Sequence, residues 1–151
     1  MRTDDFSLAP PQAQATALFI GATRYRGARS VLALTLQWWR LVRQMKRMPG
    51  YCWHRVYWEP PFTLGTIALF RDRDSLLRFA RSRPHRRLMC YLTDHGPRRA
   101  TAGFIRLYAA EPSGYTNGTW RAEGNVLGHE SHFVPLSTQA VGPPVHGRAE
   151  R

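Results

Sequence analysis

Val31, Leu34, Trp38, Leu41, Val42, Met45 and Met48 recur at helical spacing, so the pattern predicts an amphipathic helix over that span. Arg40, Arg43, Lys46 and Arg47 fall toward its other side and C-terminal end, where cations complement the helix dipole, and Pro49-Gly50 stops it. Upstream, Thr16–Gly21 is a short apolar run bounded by turn residues and reads as a first strand. Downstream, Tyr51–Trp58 is rich in aromatic and β-branched residues and reads as a second. Its alternation puts Trp53, Arg55 and Tyr57 on one face and Cys52, His54, Val56 and Trp58 on the other.

Glu59-Pro-Pro-Phe62 turns the chain into a third strand over Thr63–Phe70. Asp72 or Asp74 caps a second helix, Ser82 caps a renewed one with Pro84 in its first turn, and Gly96-Pro97 ends it. A fourth strand follows at Thr101–Tyr108. The order is β-α-β-β-α-β, which makes this an α+β protein of ferredoxin-like arrangement. Residues 1–13 read as an N-terminal arm, 14–114 as the folded domain and 115–151 as a C-terminal extension. A strand near Gly118–Arg121 and a disordered end from about Thr138 are expected there.

Composition narrows this picture only partly. A 151-residue chain, 43% hydrophobic with five tryptophans, is one domain with room for a core. The net charge of +12 favours anionic partners, although an arginine-rich, lysine-poor excess is also what a GC-rich genome produces. Cys52 and Cys90 are expected to be reduced thiols. No signal-peptide-like run or membrane-length apolar stretch occurs, so a cytoplasmic protein without a membrane span is expected.

Three functional classes use this element order. RNA-recognition modules carry a basic residue and stacking aromatics in the third strand. Here that strand is Thr-Leu-Gly-Thr-Ile-Ala-Leu-Phe, so nucleic acid is not the expected partner despite the basic helix surface. Acylphosphatase and metal-carrier types need loops or a CxxC that are missing. The third class, the dimeric α/β-barrel, remains.

The segment Phe70–His85 (strand end, acidic cap, Leu-x-x-Phe-Ala, short gap, histidine) resembles monooxygenase-like dimeric α/β-barrels. These include the spheroidene monooxygenase-like proteins and a related uncharacterised bacterial family. The Met-x-x-Met-Pro-Gly-Tyr run from Met45 to Tyr51 is similar to the same group, and the likeness spans roughly Ala15 to Tyr108. The resemblance implies a homodimer with a pocket between sheet and helices for an apolar or aromatic small molecule. In some relatives that pocket holds haem, while others need no cofactor.

His85 is the leading candidate. On a helix starting near Ser82 it shares a stripe with Leu88, Met89 and Leu92, and a helix N-terminus keeps the ring neutral and able to ligate a metal. The resemblance implies a place in the pocket or as proximal ligand to haem iron. The alternative is a half-buried histidine bonded to backbone. His54 and Arg55 are further catalytic candidates, with packing as the plain alternative for His54; Trp53, Trp38, Met89 and Phe79 complete the expected pocket and cofactor contacts. Trp53, Arg55 and Tyr57 form an aromatic-cationic face suited to a carboxylate or an acyl ring. Arg78, Arg81, Arg83, Arg86 and Arg87 form either a solvated face or a surface that steers an anionic ligand.

His129 and His132 are three apart, not the four of a zinc-protease motif. No serine elbow, phosphate loop or paired-carboxylate constellation is present, so hydrolytic acid–base chemistry is poorly supported. The expectation is a small monooxygenase-like enzyme acting on an apolar or aromatic metabolite, with haem or no cofactor. A non-catalytic haem or small-ligand binder of the same fold is the alternative.

Overall fold

A computed structural model describes residues 2–93 and 99–122. The chain runs β1 (Arg2–Thr3), β2 (Ala17–Tyr25), α1 (Ala28–Met45), β3 (Tyr51–Glu59), β4 (Thr63–Phe70), α2 (Arg73–Ala80), α3 (Arg83–Thr93), β5 (Ala100–Ala109), β6 (Gly114–Tyr115) and a 3-10 turn at Gly118–Trp120. Strands β2 to β5 form one antiparallel sheet in the order β3-β4-β2-β5. This is the expected ferredoxin-like α+β fold.

The core lies between one sheet face and the helices. Leu34, Leu41 and Met45 of α1 meet Leu76 and Phe79 of α2 and Leu88 of α3 over Ala17, Ala68 and Phe70 of the sheet. Phe19, Phe70 and Phe79 stack with ring centroids 5.6–6.4 Å apart. Asp72 caps α2 by accepting a 2.7 Å bond from the Ser75 amide. Ser82 takes the same place before α3, with Pro84 in the first turn.

The first strand runs four residues beyond its expected end, to Tyr25, because β4 and β5 pair with it on both sides as far as Arg24. Helix α1 stops at Met45, and Met48 packs against the core from the turn that follows. The N-terminal arm is paired: Arg2 and Thr3 zip against Tyr115 and Gly114 as a separate two-stranded ribbon. The strand expected near Gly118–Arg121 is instead a 3-10 turn, entered through Gly118 at φ +56, a backbone angle no strand uses. Gly96-Pro97, His129, His132 and the expected disordered end lie outside the described residues.

Strand β3 carries a bulge. Tyr51 pairs with Phe70 and Trp53 with Leu69, so Cys52 is the extra residue. Alternation breaks there, and Tyr51 joins His54 on the helix-facing side.

Candidate functional site

Register settles which side of each strand faces the helices. Phe70 and Ala68 are buried in the core, so Thr66 and Leu64 share their face, as do the residues opposite them, His54, Val56 and Trp58 on β3. Trp53, Arg55 and Tyr57 lie on the opposite, outer face, where Tyr57 sits over Gly65 in the space a Cβ there would fill.

On the helix side a cavity of about 250 Å3 opens between sheet and helices. Phe19, Gly21, Thr66, Val56, Leu64 and Ile105 form its floor. Val31, Leu34 and Trp38 of α1, Phe79 of α2, and His85, Leu88 and Met89 of α3 form its roof. Gly21 keeps this part of the floor open: a Cβ would come within 3.1 Å of the Ile105 side chain and 3.2 Å of the Phe104 carbonyl, so β5 would have to give by a few tenths of an ångström. His85, Phe79, Met89 and Trp38 are thus brought together. Trp53 and Arg55, expected among the same walls, face away from this cavity. His54 shares the strand face but is not among the lining residues; its Nδ1 lies 2.6 Å from the Tyr51 hydroxyl.

Two polar groups stand out in a mostly apolar lining that also includes Thr23, Tyr25 and Thr35. The first is His85. Its Nδ1 lies 2.8 Å from the Ala80 carbonyl, one of the last carbonyls of α2, left without a partner inside that helix. A carbonyl only accepts, so Nδ1 carries the proton and Nε2 is left as a bare acceptor. Burial lowers the ring's pKa, only partly offset by the Ala80 bond, and holds it neutral. The Phe79 ring, 5.1 Å away, braces it. His85 thus bonds to the Ala80 carbonyl and is also one of the residues lining the cavity.

The second is Thr66, 6% exposed and on the cavity floor. Its hydroxyl has no hydrogen-bond partner among the described residues. The sequence reading passed over this residue. The available signal was its polarity within the inward set Leu64, Thr66, Ala68, Phe70.

A histidine with its Nδ1 held by a carbonyl is the usual form of a metal-ligating imidazole. The room does not suit haem, however. A porphyrin exceeds a drug-sized ligand, whose pockets begin at about 300 Å3, and this cavity is smaller. The haem expectation finds no support. Among the described residues no group of three or more His, Cys, Asp or Glu side chains is placed to hold a metal ion.

No protein-family model matches the sequence, and no curated protein matches it at a significant level. Solved structures do. SnoaB, a cofactor-independent oxygenase from Streptomyces nogalater, is 18% identical over 64% of this chain and 94% of its own, with a TM-score of 0.50. An antibiotic biosynthesis monooxygenase is 18% identical over 63% and 99%, at 0.51. Rv0793 from Mycobacterium tuberculosis is 13% identical over 64% and 96%, at 0.54. The chain shares its fold, a ferredoxin-like α+β arrangement, with these structures.

Proposed function

We propose that this protein is a small monooxygenase-like enzyme that acts without haem on a compact apolar or aromatic metabolite bearing a free hydroxyl. The observation that carries this reading is His85: an imidazole with a lowered pKa, its Nδ1–H held by the Ala80 carbonyl, lining a mostly apolar cavity and leaving Nε2 free to accept. The substrate hydroxyl donates to Nε2, which removes the proton as general base. The resulting anion is electron-rich and reduces dioxygen itself. The balance closes without an external reductant: a ring-activated CH2 and O2 give a carbonyl and water. Phe19, Trp38 and Phe79 hold the ring and keep water from the anion. SnoaB, of the same fold, is a cofactor-independent oxygenase, which supports this chemistry over a haem-based one.

The active unit on this reading is a homodimer. The outer sheet face carries Leu18, Ile20, Phe104 and Tyr108 with no helix among the described residues over it, and Phe104 and Tyr108 are 53% and 47% exposed. A second copy covering this face closes the barrel and enlists Trp53, Arg55 and Tyr57 at the interface.

The test is calorimetric titration with compact one- and two-ring compounds, each with its hydroxyl free or methylated, followed by oxygen uptake with those that bind. Hydroxyl-dependent binding that His85→Gln weakens supports the proposal. Equal binding of free and methylated forms would show that the cavity takes apolar guests without using His85 and would remove the base from the account.

A further inference from the structure

Helices α1 and α3 pack side by side and leave between them, on the side away from the sheet, a groove of about 650 Å3. Its two walls are helical stripes. Gln37, Arg40, Leu41 and Gln44 recur at i, i+3, i+4 and i+7 on α1, while Arg83, Arg87 and Tyr91 recur every four residues on α3. Helical periodicity alone therefore aims Arg40, Arg83 and Arg87 into one space, with two amides and a phenol beside them. Leu41 and Leu88, at 2% and 4% exposed, form the floor and are also a wall of the apolar cavity.

No described residue neutralises those guanidiniums. Neither helix contains an Asp or Glu, and no described carboxylate pairs with Arg40, Arg83 or Arg87. Three exposed like charges lining one groove give it a positive potential that favours an anion there. Elsewhere on the same helices, Arg43 stacks over Trp39 and Arg86 points out of the groove lining. The rim is set as well: Arg99 lies 4.4 Å over the Tyr91 ring, fixing that ring and adding a fourth cation at the edge. Guanidinium forks bind tetrahedral oxyanions in pairs of parallel hydrogen bonds, and side-chain amides add neutral donors. A lone carboxylate occupies one fork. Three forks match the charge and the oxygen count of a diphosphate.

We propose that the α1–α3 groove is a binding site for a diphosphate group, distinct from the apolar cavity and separated from it by one layer of side chains. The site does not depend on turnover in the cavity, and its test reads binding alone.

Inorganic pyrophosphate is titrated into the full chain by calorimetry at constant ionic strength, with circular dichroism on each variant to confirm folding. The expected result is saturable binding at one per chain, weakened about tenfold or more by each of Arg40→Gln, Arg83→Gln and Arg87→Gln, since a charge-assisted hydrogen bond contributes well over the neutral value. Arg43→Gln and Arg86→Gln, on the same helices but outside the groove, should change it less than twofold. A parallel titration with an alkyl diphosphate identifies the source: tighter binding than pyrophosphate assigns an organic ester whose chain meets Leu41 and Leu88, and equal binding assigns the free anion. The proposal is overturned if no saturable binding occurs at millimolar pyrophosphate. Equal weakening by all five substitutions overturns it too, because it would mean a diffuse field and no site.

Discussion

Thr66→Val separates the stability of the free protein from its use of the cavity. Thr66 is 6% exposed and lines the cavity, and its hydroxyl has no hydrogen-bond partner among the described residues. Burying a hydroxyl without a hydrogen bond costs about 1–3 kcal/mol by mutational measures. Valine keeps the β-branched outline that the strand accepts and removes that cost. Water entering the cavity would satisfy part of it, so the low end, about 1 kcal/mol of stabilisation, is the expected value. For a domain of this size that is a rise in Tm of about 4 °C. A ligand whose oxygen meets Thr66 loses a hydrogen bond of about 1–1.5 kcal/mol, so its affinity falls about tenfold. The two effects have opposite signs, which a general packing defect cannot produce. Differential scanning fluorimetry of the free protein and calorimetry with the tightest ligand read them. A fall in Tm of 4 °C or more would show that Thr66 supports the native fold, and unchanged ligand affinity would remove it from the site.

Three other predictions rest on different parts of the molecule. Burial lowers the pKa of both His85 and His54 below the ordinary value; the unfolded chain then binds protons that the folded one does not. Stability should be fully present above about pH 6.5 and fall progressively as pH drops below it. His85→Gln should flatten part of that loss in a Tm-against-pH series, and an unchanged slope would contradict the burial argument. Gly50 holds φ +80, and a Cβ there would clash with the Ser75 side chain. Gly50→Ala should therefore destabilise by more than about 1 kcal/mol in urea denaturation, and a neutral result would mean that this turn relaxes freely. Phe104→Glu with Tyr108→Glu should convert a dimer to a monomer in light scattering while leaving the monomer folded, since both side chains are half-exposed in the single chain. A monomeric parent protein would contradict the paired-sheet proposal.

The element order was legible because each element has its own period: three to four residues in Val31–Met45, two in Trp53–Trp58, and a cap residue before each piece of the second helical region. The paired faces of β3 were legible too, but not their destinations. Strand β4 is apolar on both sides, with Leu64, Ala68 and Phe70 inward and Ile67 and Leu69 outward. Hydrophobicity therefore could not say which face of the sheet the helices cover, and Trp53 and Arg55 were placed in the wrong layer relative to the cavity. The bulge at Cys52, which swings Tyr51 onto His54, leaves no mark in composition. The side of α3 that carries His85 was legible because helical spacing, unlike strand alternation here, has only one apolar side. Thr66 was missed because its importance is a lack of partners, which only the three-dimensional neighbourhood reveals.

The most direct test of the central claim is a stoichiometric one. Enzyme stripped of haem and metal is supplied with a ligand chosen for hydroxyl-dependent binding, and oxygen uptake is followed in an electrode against carbonyl product. The account predicts one O2 consumed per carbonyl formed without added reductant, at a rate that His85→Gln lowers by about 10²-fold or more, the scale of a positioned base. Oxygen uptake that needs an added reductant or metal, or that proceeds unchanged in His85→Gln, would contradict it.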